Sequence, residues 1–378
     1  MLKKSYIVKN HFKHYLKTIT KNQSIIQIVC SPILFPFCAV YHLGGGLHRY
    51  FSGMYHQWEQ NKSTNPNRLP VIVVGSLKSG GSGKTSLTVE LTNKLLESGI
   101  RVAVIAYWIS GYNRDKLYQK AGSSWQKTSD EAMLLKKHTG ANVYVTRKRN
   151  KTIHFLSKTG EYDCIVSDDG FQDQSMRDAF HMVLLEGTKQ SPFKPNLWDL
   201  LPLGRYRQTA SALKYADIIL SGPHLMTPSE EVSPAHNEVF PFQRTLEFPK
   251  DFDFSREWIC FCALGNPENF VQNLVESGVR IKKVYTGRDH KKIPVKTLRL
   301  ARVKYPGCGL LTTEKDCIKY SSEESLDFTV IKQKIHIPET LFLQIILQFK
   351  KKYGLYLESL PKGSNFEKFM LNEQLQKL

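Results

Sequence analysis

The sequence predicts an α/β protein built on a P-loop doubly wound parallel sheet, with a second, smaller α/β domain and an N-terminal membrane-associating helical segment. Three observations predict this class. Short apolar runs rich in β-branched residues alternate with segments of helical periodicity. A glycine-rich loop separates one such run from a helix, and a cationic arm precedes both. We expect the arm in residues 1–55, the P-loop domain in 56–250, and the smaller domain with a C-terminal helical tail in 251–378.

The glycine-rich loop follows the predicted strand 70–74 and ends in Gly83-Lys84-Thr85. Such loops bind nucleotide phosphates because glycines turn backbone amides toward the phosphate oxygens and the next helix adds its positive dipole end. We expect Lys84 to neutralise the β- and γ-phosphates of ATP during transfer, and the Thr85 hydroxyl to bind Mg²⁺. The full pattern has glycine where this chain has Lys78. The predicted nucleotide-binding residues are Ser79, Gly80, Gly81, Ser82, Gly83, Lys84, Thr85 and Ser86.

Two adjacent carboxylates, Asp168 and Asp169, end another apolar strand. Ligands of open α/β sheets bind beyond the carboxyl ends of the strands, so these side chains are predicted ligands of Mg²⁺. A simple Asp-Asp-Gly turn is the alternative interpretation. Further predicted strands alternate with helical segments and indicate the parallel sheet; they are 102–105, 142–146, 181–185, 217–220 and, after irregular residues 241–254, 257–263.

The N-terminal arm contains no acidic residue before Glu59, and its lysines and apolar residues both recur at helical spacing. This pattern is typical of a basic amphipathic helix on an anionic membrane surface. The apolar run 25–43 is borderline in length for a span and is interrupted by Pro32 and Pro36. A buried packing element and a signal peptide remain alternatives. Cations ahead of the run favour a cytoplasmic N-terminus.

The composition limits the class of partner. A net charge of +19 requires an anionic partner, and nucleic acid, anionic lipid and phosphorylated substrates all qualify. Alternation of lysines with apolar residues favours lipid, so we expect no nucleic acid partner, and no protein partner is evident. The seven cysteines contain no CxxC pair, which indicates reduced thiols in a cytosolic compartment instead of disulfides or a zinc site.

Taken together, the motifs resemble the tetraacyldisaccharide 4′-kinases, the lipid A 4′-kinases of Gram-negative bacteria. The resemblance runs from about residue 30 to residue 320 and rests on seven segments in the family's order. Six of them are weak individually, and the phosphate loop is the specific one. The segments are 74–85, 129–132, 167–172, 201–207, 265–270, 289–290 and 313–316.

The resemblance implies transfer of the ATP γ-phosphate to the 4′-hydroxyl of an acylated disaccharide 1-phosphate lipid, at the cytoplasmic face of the inner membrane. It further implies that Asp130 accepts or orients the proton of the sugar hydroxyl, with His290 as its partner from the second domain. From the residues alone, Asp130 could instead be a simple helix N-cap. Arg205 and Arg207 are candidate phosphate contacts, or else belong to a basic surface loop.

The chain departs from the family pattern in two places. An arginine expected after the second strand is missing, because Ser110 is followed directly by Gly111. Lys78 and Arg114 are the candidates to replace its charge. Gln208 stands where the family has glutamate. These departures concern turnover and substrate contacts more than the fold.

Two other functions fit parts of the pattern. A membrane-associated P-loop ATPase switch without lipid kinase activity often carries a lysine directly before its paired glycines, whereas this chain has Ser79 there. A nucleic-acid-binding ATPase would account for the net charge. Lipid phosphorylation in the presence of the acylated disaccharide distinguishes the kinase from both.

Overall fold

The computed structural model describes residues 68–107, 118–121, 129–185, 199–201, 204–222, 238–289, 291–320 and 327–358, with single positions at 36, 40, 44, 51 and 54. These five positions are helical, and Val40, Phe51 and Met54 are exposed. The remainder of the predicted arm lies outside the described residues. Within the described part of the chain, no helix combines the length and apolar character needed to cross a membrane.

The larger sheet has eight strands in the order β3-β4-β2-β5-β1-β6-β7-β8. All neighbours are parallel except β3 and β4. Three helices, α1 (Lys84–Glu97), α2 (Asp130–His138) and α3 (Arg149–Thr159), lie between strands in sequence. The strands are β1 Val71–Ser76, β2 Val102–Tyr107, β3 Gln119–Lys120, β4 Asn142–Thr146, β5 Cys164–Asp168, β6 Phe180–Leu185, β7 Ile218–Ser221 and β8 Glu238–Pro241.

Both faces of the larger sheet are covered, which is why its strands are continuously apolar. Side chains alternate between the faces along each strand. On β1, Ile72 packs in one core with Leu87 and Leu91 of α1, whereas Val73 packs in the other with Ile153 of α3. This arrangement confirms the predicted doubly wound sheet.

The smaller sheet has five strands in the order β11-β10-β12-β13-β9, and only β9 is antiparallel to its neighbour. It confirms the second α/β unit. Residues 241–254 were expected to be irregular, but part of them forms the half-exposed edge strand β9. The elements are β9 Gln243–Glu247, β10 Glu257–Cys262, α4 Pro267–Glu276, β11 Arg280–Thr286, α5 Val295–Lys304, β12 Gly309–Thr313, α6 Glu314–Cys317 and β13 Phe328–His336.

The last described helix, α7 (Glu339–Glu358), returns to the larger sheet. Its residues Phe342, Ile345 and Phe349 join the core that contains Leu87. The rings of Phe349 and Phe180 meet edge to face at 5.6 Å. The chain therefore passes between the two sheets twice, between β8 and β9 and again between β13 and α7.

The strand order reverses beside β1. From β1 the chain crosses to β2 on one side, and from β5 it reaches β6 on the other side of β1. At such a switch point the loops after neighbouring strands diverge and leave a crevice at the carboxyl edge of the sheet. Because β1 and β5 are neighbours, the glycine-rich loop and the paired aspartates lie at the same crevice.

Candidate active site

The glycine-rich loop connects β1 to α1 in a conformation that only glycine adopts without strain at several positions. Gly80, Gly81 and Gly83 have φ angles of 71°, 68° and 80°. Gly83 is the N-cap of α1, and no side chain caps the helix. The amides of the first helical turn therefore face the crevice, where an anion is favoured.

Lys84 lies at the start of α1 and is buried. Its ammonium group donates to Ser82 Oγ at 3.1 Å and lies 3.4 Å from Oδ1 of Asp169. The loop and the acidic strand end thus meet, with the cation between them. Arg244 of β9 supports the loop from the smaller sheet, because its guanidinium donates to the main-chain oxygen of Ser82 at 3.0 Å.

Asp168 accepts hydrogen bonds from two threonines of α1. Thr85 Oγ1 lies 3.2 Å from Oδ2, and Thr88 Oγ1 lies 3.0 Å from Oδ1. Burial raises the pKa of Asp168 to about 6, and Asp169 and Glu131 add to the rise. A hydroxyl and a carboxylate on adjacent elements form an all-oxygen donor set that suits Mg²⁺.

Asp169 has a different environment, although it is the next residue. Arg207 Nη1 lies 2.9 Å from each of its carboxylate oxygens. Burial alone would raise the pKa of Asp169, but Lys84 and Arg207 outweigh that effect and lower it. The buried Arg149 donates to the main-chain oxygens of Asp168 at 3.0 Å and of Asp169 at 3.1 Å. The carboxylate of Asp169 therefore contacts cationic side chains, whereas that of Asp168 accepts hydrogen bonds from hydroxyl groups.

Asp130 is the first residue of α2 and only 4% exposed. Ser129 is the N-cap of this helix, with its side chain accepting from the amide of Ala132, so capping is not the role of Asp130. The carboxylate of Asp130 accepts from the Glu131 amide at 3.1 Å.

Two lysines from the segment that follows β12 of the smaller sheet approach the Asp130 carboxylate. Oδ2 lies 3.9 Å from Lys315 Nζ and 3.6 Å from Lys319 Nζ. Lys315 also contacts Glu131 at 3.0 Å and Asp289 at 3.3 Å. Burial opposes the charge of Lys315, but these carboxylates outweigh it and raise its pKa. Ammonium groups from one sheet thus stabilise a carboxylate on the other.

Lys319 is fully buried and bonded to Asp316 Oδ1 at 2.8 Å. The other carboxylate oxygen of Asp316 accepts from the Ala263 amide at 2.8 Å and from Thr313 Oγ1 at 2.9 Å. The motif 313–316 therefore anchors the lysines at the end of β12. Sequence reasoning recognised this motif but assigned no role to either lysine. A charged motif directly after a buried strand was the available signal.

A cleft of about 690 Å³ separates the two sheets. Glu131 and Lys315 line it, and the buried Asp130 lies next to both of them. Gly80 approaches Gly265 so closely that a Cβ on Gly265 would lie 2.7 Å from the Gly80 Cα. All eight predicted nucleotide-binding residues, Ser79, Gly80, Gly81, Ser82, Gly83, Lys84, Thr85 and Ser86, line this cleft, together with Asp168, Asp169 and Arg207.

The segment 204–207 runs beside the phosphate loop. The Ser79 amide donates to the main-chain oxygen of Arg205 at 2.8 Å, and the Arg207 amide donates to that of Leu77 at 2.8 Å. The guanidinium of Arg205 lies 3.8 Å from Glu268. Lys78 places its ammonium group 5.1 Å from the ring centre of Tyr206.

Four further residues singled out from the sequence have two outcomes. His290, Ser110 and Arg114 lie outside the described residues, so their positions stay predictions. Gln208, which replaces the family's glutamate, accepts from Gln172 Nε2 at 3.4 Å. This polar contact keeps residue 208 within the network that surrounds Arg207, since Gln172 Oε1 lies 3.2 Å from Arg207 Nη1.

Comparison with known proteins agrees with this geometry. The profile of the family LpxK, tetraacyldisaccharide-1-P 4′-kinase, matches residues 30–350. The tetraacyldisaccharide 4′-kinase of Hamiltonella defensa is 28% identical over 299 residues, which cover 76% of this chain and 84% of that protein. The enzyme of the same name from Actinobacillus pleuropneumoniae is 29% identical over 255 residues, covering 66% and 76%.

A solved structure supports the fold. Crystalline LpxK from Aquifex aeolicus in complex with ATP aligns with a TM-score of 0.56 and 24% identity, covering 84% of this chain and 98% of that one. The family match spans both sheets and the cleft between them. The chain therefore belongs to the tetraacyldisaccharide 4′-kinase family, and it is an ATP-dependent kinase that phosphorylates the 4′-hydroxyl of a tetraacyldisaccharide 1-phosphate in lipid A biosynthesis.

Proposed function

We propose that phosphoryl transfer takes place in the cleft between the two sheets, with the ATP triphosphate on residues 79–86. The observation that carries this proposal is the contact of Thr85 with Asp168 beside Lys84. Lys84 neutralises charge that develops on the transferred group, and the first-turn amides of α1 orient it. Thr85 and Asp168 would hold Mg²⁺, which supplies charge neutralisation to the phosphates when bound.

In this proposal Asp130 accepts the proton of the sugar 4′-hydroxyl as the oxygen attacks the γ-phosphate. Support comes from its position beside the cleft and from the ammonium groups of Lys315 and Lys319, which stabilise its negative charge. Lys315 lines the cleft and contacts this carboxylate, so in the proposal Lys315 moves aside when the sugar hydroxyl approaches. His290, which follows Asp289 in the sequence, is proposed as the partner of Asp130.

We propose different roles for Arg205 and Arg207, the two arginines beside the phosphate loop. Arg207 is bound to Asp169 by two short contacts, so it orients that carboxylate next to Lys84. Asp169 is proposed as a second, weaker contributor to the magnesium site, because its oxygens are shared with Arg207 and Lys84. Arg205 is more exposed than Arg207 and lies 3.8 Å from Glu268, and it is proposed to meet a substrate phosphate.

The substrate carries acyl chains, so the enzyme must work where those chains reside. We place it at the cytoplasmic face of the bacterial inner membrane, bound through residues 1–55. The cationic, acid-free sequence of this arm supports the placement, as does the exposure of Val40, Phe51 and Met54. The division of the chain near residue 250 is likewise proposed from sequence.

The deciding experiment is transfer of labelled phosphate from ATP to the acylated disaccharide 1-phosphate in detergent, with purified wild type and Lys84→Ala. We expect lipid phosphorylation by the wild type and loss of it in the variant, with folding unchanged by circular dichroism. ATP hydrolysis without labelled lipid would favour the ATPase switch instead. Full lipid phosphorylation by Lys84→Ala would refute the assignment of the phosphate loop.

A further inference from the structure

Two apolar side chains on the outer face of α5 are largely exposed to solvent. Leu300 is 59% exposed and Val303 is 80% exposed, whereas Leu298 and Ala301 on the same helix are buried in the smaller sheet's core. The surface that we call the α5 face consists of the exposed residues Lys296, Arg299, Leu300, Val303 and Lys304.

Helix geometry places these residues in one band. Lys296, Leu300 and Val303 are spaced by four and three residues, so they lie along one line of the helix. Arg299 lies on one side of that line and Lys304 on the other, because each residue advances about 100° around the axis. An apolar centre is therefore flanked by long cationic side chains on both sides.

The segment that contains α5 carries charges of a single sign. Residues 291–304 contain six lysines and arginines, and no acidic residue occurs from 290 to 313. Such a surface repels cationic partners and attracts anionic ones. Exposed apolar residues between the cations match a bilayer surface, where Leu and Val enter the headgroup boundary while Lys and Arg extend to the lipid phosphates.

The position of α5 relates this face to the reaction. The helix starts at Val295, six residues after Asp289, which lines the cleft and contacts Lys315. A contact between α5 and lipid would therefore hold the smaller sheet, and the loop that borders the cleft, close to the headgroups.

We propose that the α5 face binds the surface of a bilayer that contains anionic lipid, as a second membrane contact separate from residues 1–55. This contact orients the cleft toward the membrane, whereas the arm provides attachment. The inference rests on the proposed action at a membrane, but it concerns binding by a different part of the chain and is tested without turnover.

The test measures sedimentation of the full chain with phosphatidylcholine vesicles with and without phosphatidylglycerol. Lys296→Gln/Arg299→Gln is compared with Lys151→Gln/Lys158→Gln, which removes the same charge from exposed positions of α3. About fivefold weaker binding per neutralised cation is expected for the α5 pair at low salt. The variant with both α3 lysines replaced should bind like the wild type, because these lysines lie on a helix that packs on the larger sheet, outside the α5 face.

The apolar part is tested by Leu300→Ser/Val303→Ser, with Phe155→Ser of α3 as its control. We expect the α5 variant to bind anionic vesicles about fivefold or more weakly, and the control to be unchanged. Equal binding by the α5 and α3 variants would overturn the proposal. The proposal would also be overturned if the α5 variants kept vesicle binding but lost concentration-dependent self-association or DNA binding.

A measurement of turnover separates this inference from the proposed function. All α5 variants should retain wild-type activity on substrate dispersed in detergent, and should lose activity only on substrate in vesicles. Inactive wild type in detergent would contradict the proposed function while leaving the binding comparison valid. This assay uses protein concentrations at which the wild type is only partly bound to vesicles. If both α5 variants then act on vesicle substrate as fast as the wild type, the α5 contact is contradicted.

Discussion

Nζ of Lys319, which is fully buried beside the smaller sheet, lies 3.6 Å from Oδ2 of Asp130, the first residue of α2 beside the larger sheet. The residue proposed as the general base is therefore stabilised by a cation that belongs to the other half of the molecule. Any movement of the sheets relative to each other changes the electrostatic environment of that carboxylate.

Asp130→Asn should reduce kcat by about 10²-fold or more, since the amide cannot accept a proton from the sugar hydroxyl. ATP affinity, measured by titration with a fluorescent nucleotide, should stay close to that of the wild type because the phosphate loop is intact. A thermal melt checks that the variant is folded. Near wild-type turnover would remove Asp130 from the proposed role.

Lys315 and Lys319 should respond differently to replacement by methionine. Lys315→Met should lower kcat about tenfold and move the acidic limb of the kcat–pH profile to higher pH, because a carboxylate that loses one of its two neighbouring ammonium groups takes up a proton more readily. Lys315→Arg should restore much of the rate. An unshifted profile in Lys315→Met would mean that the lysine has only a packing role.

Lys319→Met should instead act on stability. It leaves Asp316 and Asp130 buried without this ammonium group, which is expected to lower the free energy of unfolding by about 3–5 kcal/mol. Urea denaturation of the two methionine variants side by side provides the measurement. A larger stability loss for Lys315→Met than for Lys319→Met would contradict the assignment of Lys319 as the structural member of the pair.

Gly265→Ala should separate the phosphate loop from the smaller sheet, because the new Cβ would lie 2.7 Å from backbone atoms of Gly80. We expect kcat/KM to fall about 10²-fold through misplacement of the loop, with little change in melting temperature. Gly140→Ala is the control, since a Cβ there meets only Leu96 at 3.7 Å. Equal kinetics in both variants would show that the close approach is dispensable.

Thr88 and Thr92 form a matched pair on α1 for testing the magnesium site. Both are fully buried, but Thr88 Oγ1 donates to Asp168, whereas Thr92 Oγ1 has no hydrogen-bond partner among the described residues. Thr88→Val should raise the Mg²⁺ concentration for half-maximal activity by about 10- to 100-fold, because Asp168 loses an orienting contact. Thr92→Val should leave it unchanged, and identical magnesium titrations would disprove the orienting role.

His181 should make the fold sensitive to acid. Burial lowers its pKa to about 4, with Lys352 adding to the effect. The unfolded chain takes up this proton near pH 6.5, so stability is complete above that pH and is lost as the pH falls toward 4. The loss at pH 4.5 is about 2–3 kcal/mol. His181→Leu should flatten the urea-unfolding free energy between pH 6.5 and 4.5, and an unchanged slope would contradict the assignment.

Local patterns made much of the fold predictable. The strand expected at 142–146 is β4 to the residue, because alternating β-branched residues and flanking polar residues define it. The paired aspartates were found because they end an apolar strand. The edge strand β9 was missed, since it pairs with one neighbour only and its burial alternates between half-buried and exposed positions.

The environment of the site depended on contacts that sequence spacing does not encode. Nothing in the chain near Asp169 indicates that Arg207 holds it, or that Lys319 approaches Asp130 from almost two hundred residues away. The roles given to Asp130, His290, Arg205 and Arg207 stay predictions, as does the domain boundary near residue 250.

The return of α7 to the larger sheet has a consequence for synthesis of the protein. Phe349 of α7 packs against Phe180 in the core of the larger sheet. This core is translated first, but it lacks the side chains of α7 until residues 339–358 have left the ribosome. Nascent chains therefore expose apolar surface for most of translation, a state that favours aggregation and chaperone binding. Ribosome-bound chains from which residues 339–358 have not yet emerged should be protease-sensitive in residues 71–97, and chains from which these residues have emerged should be protected.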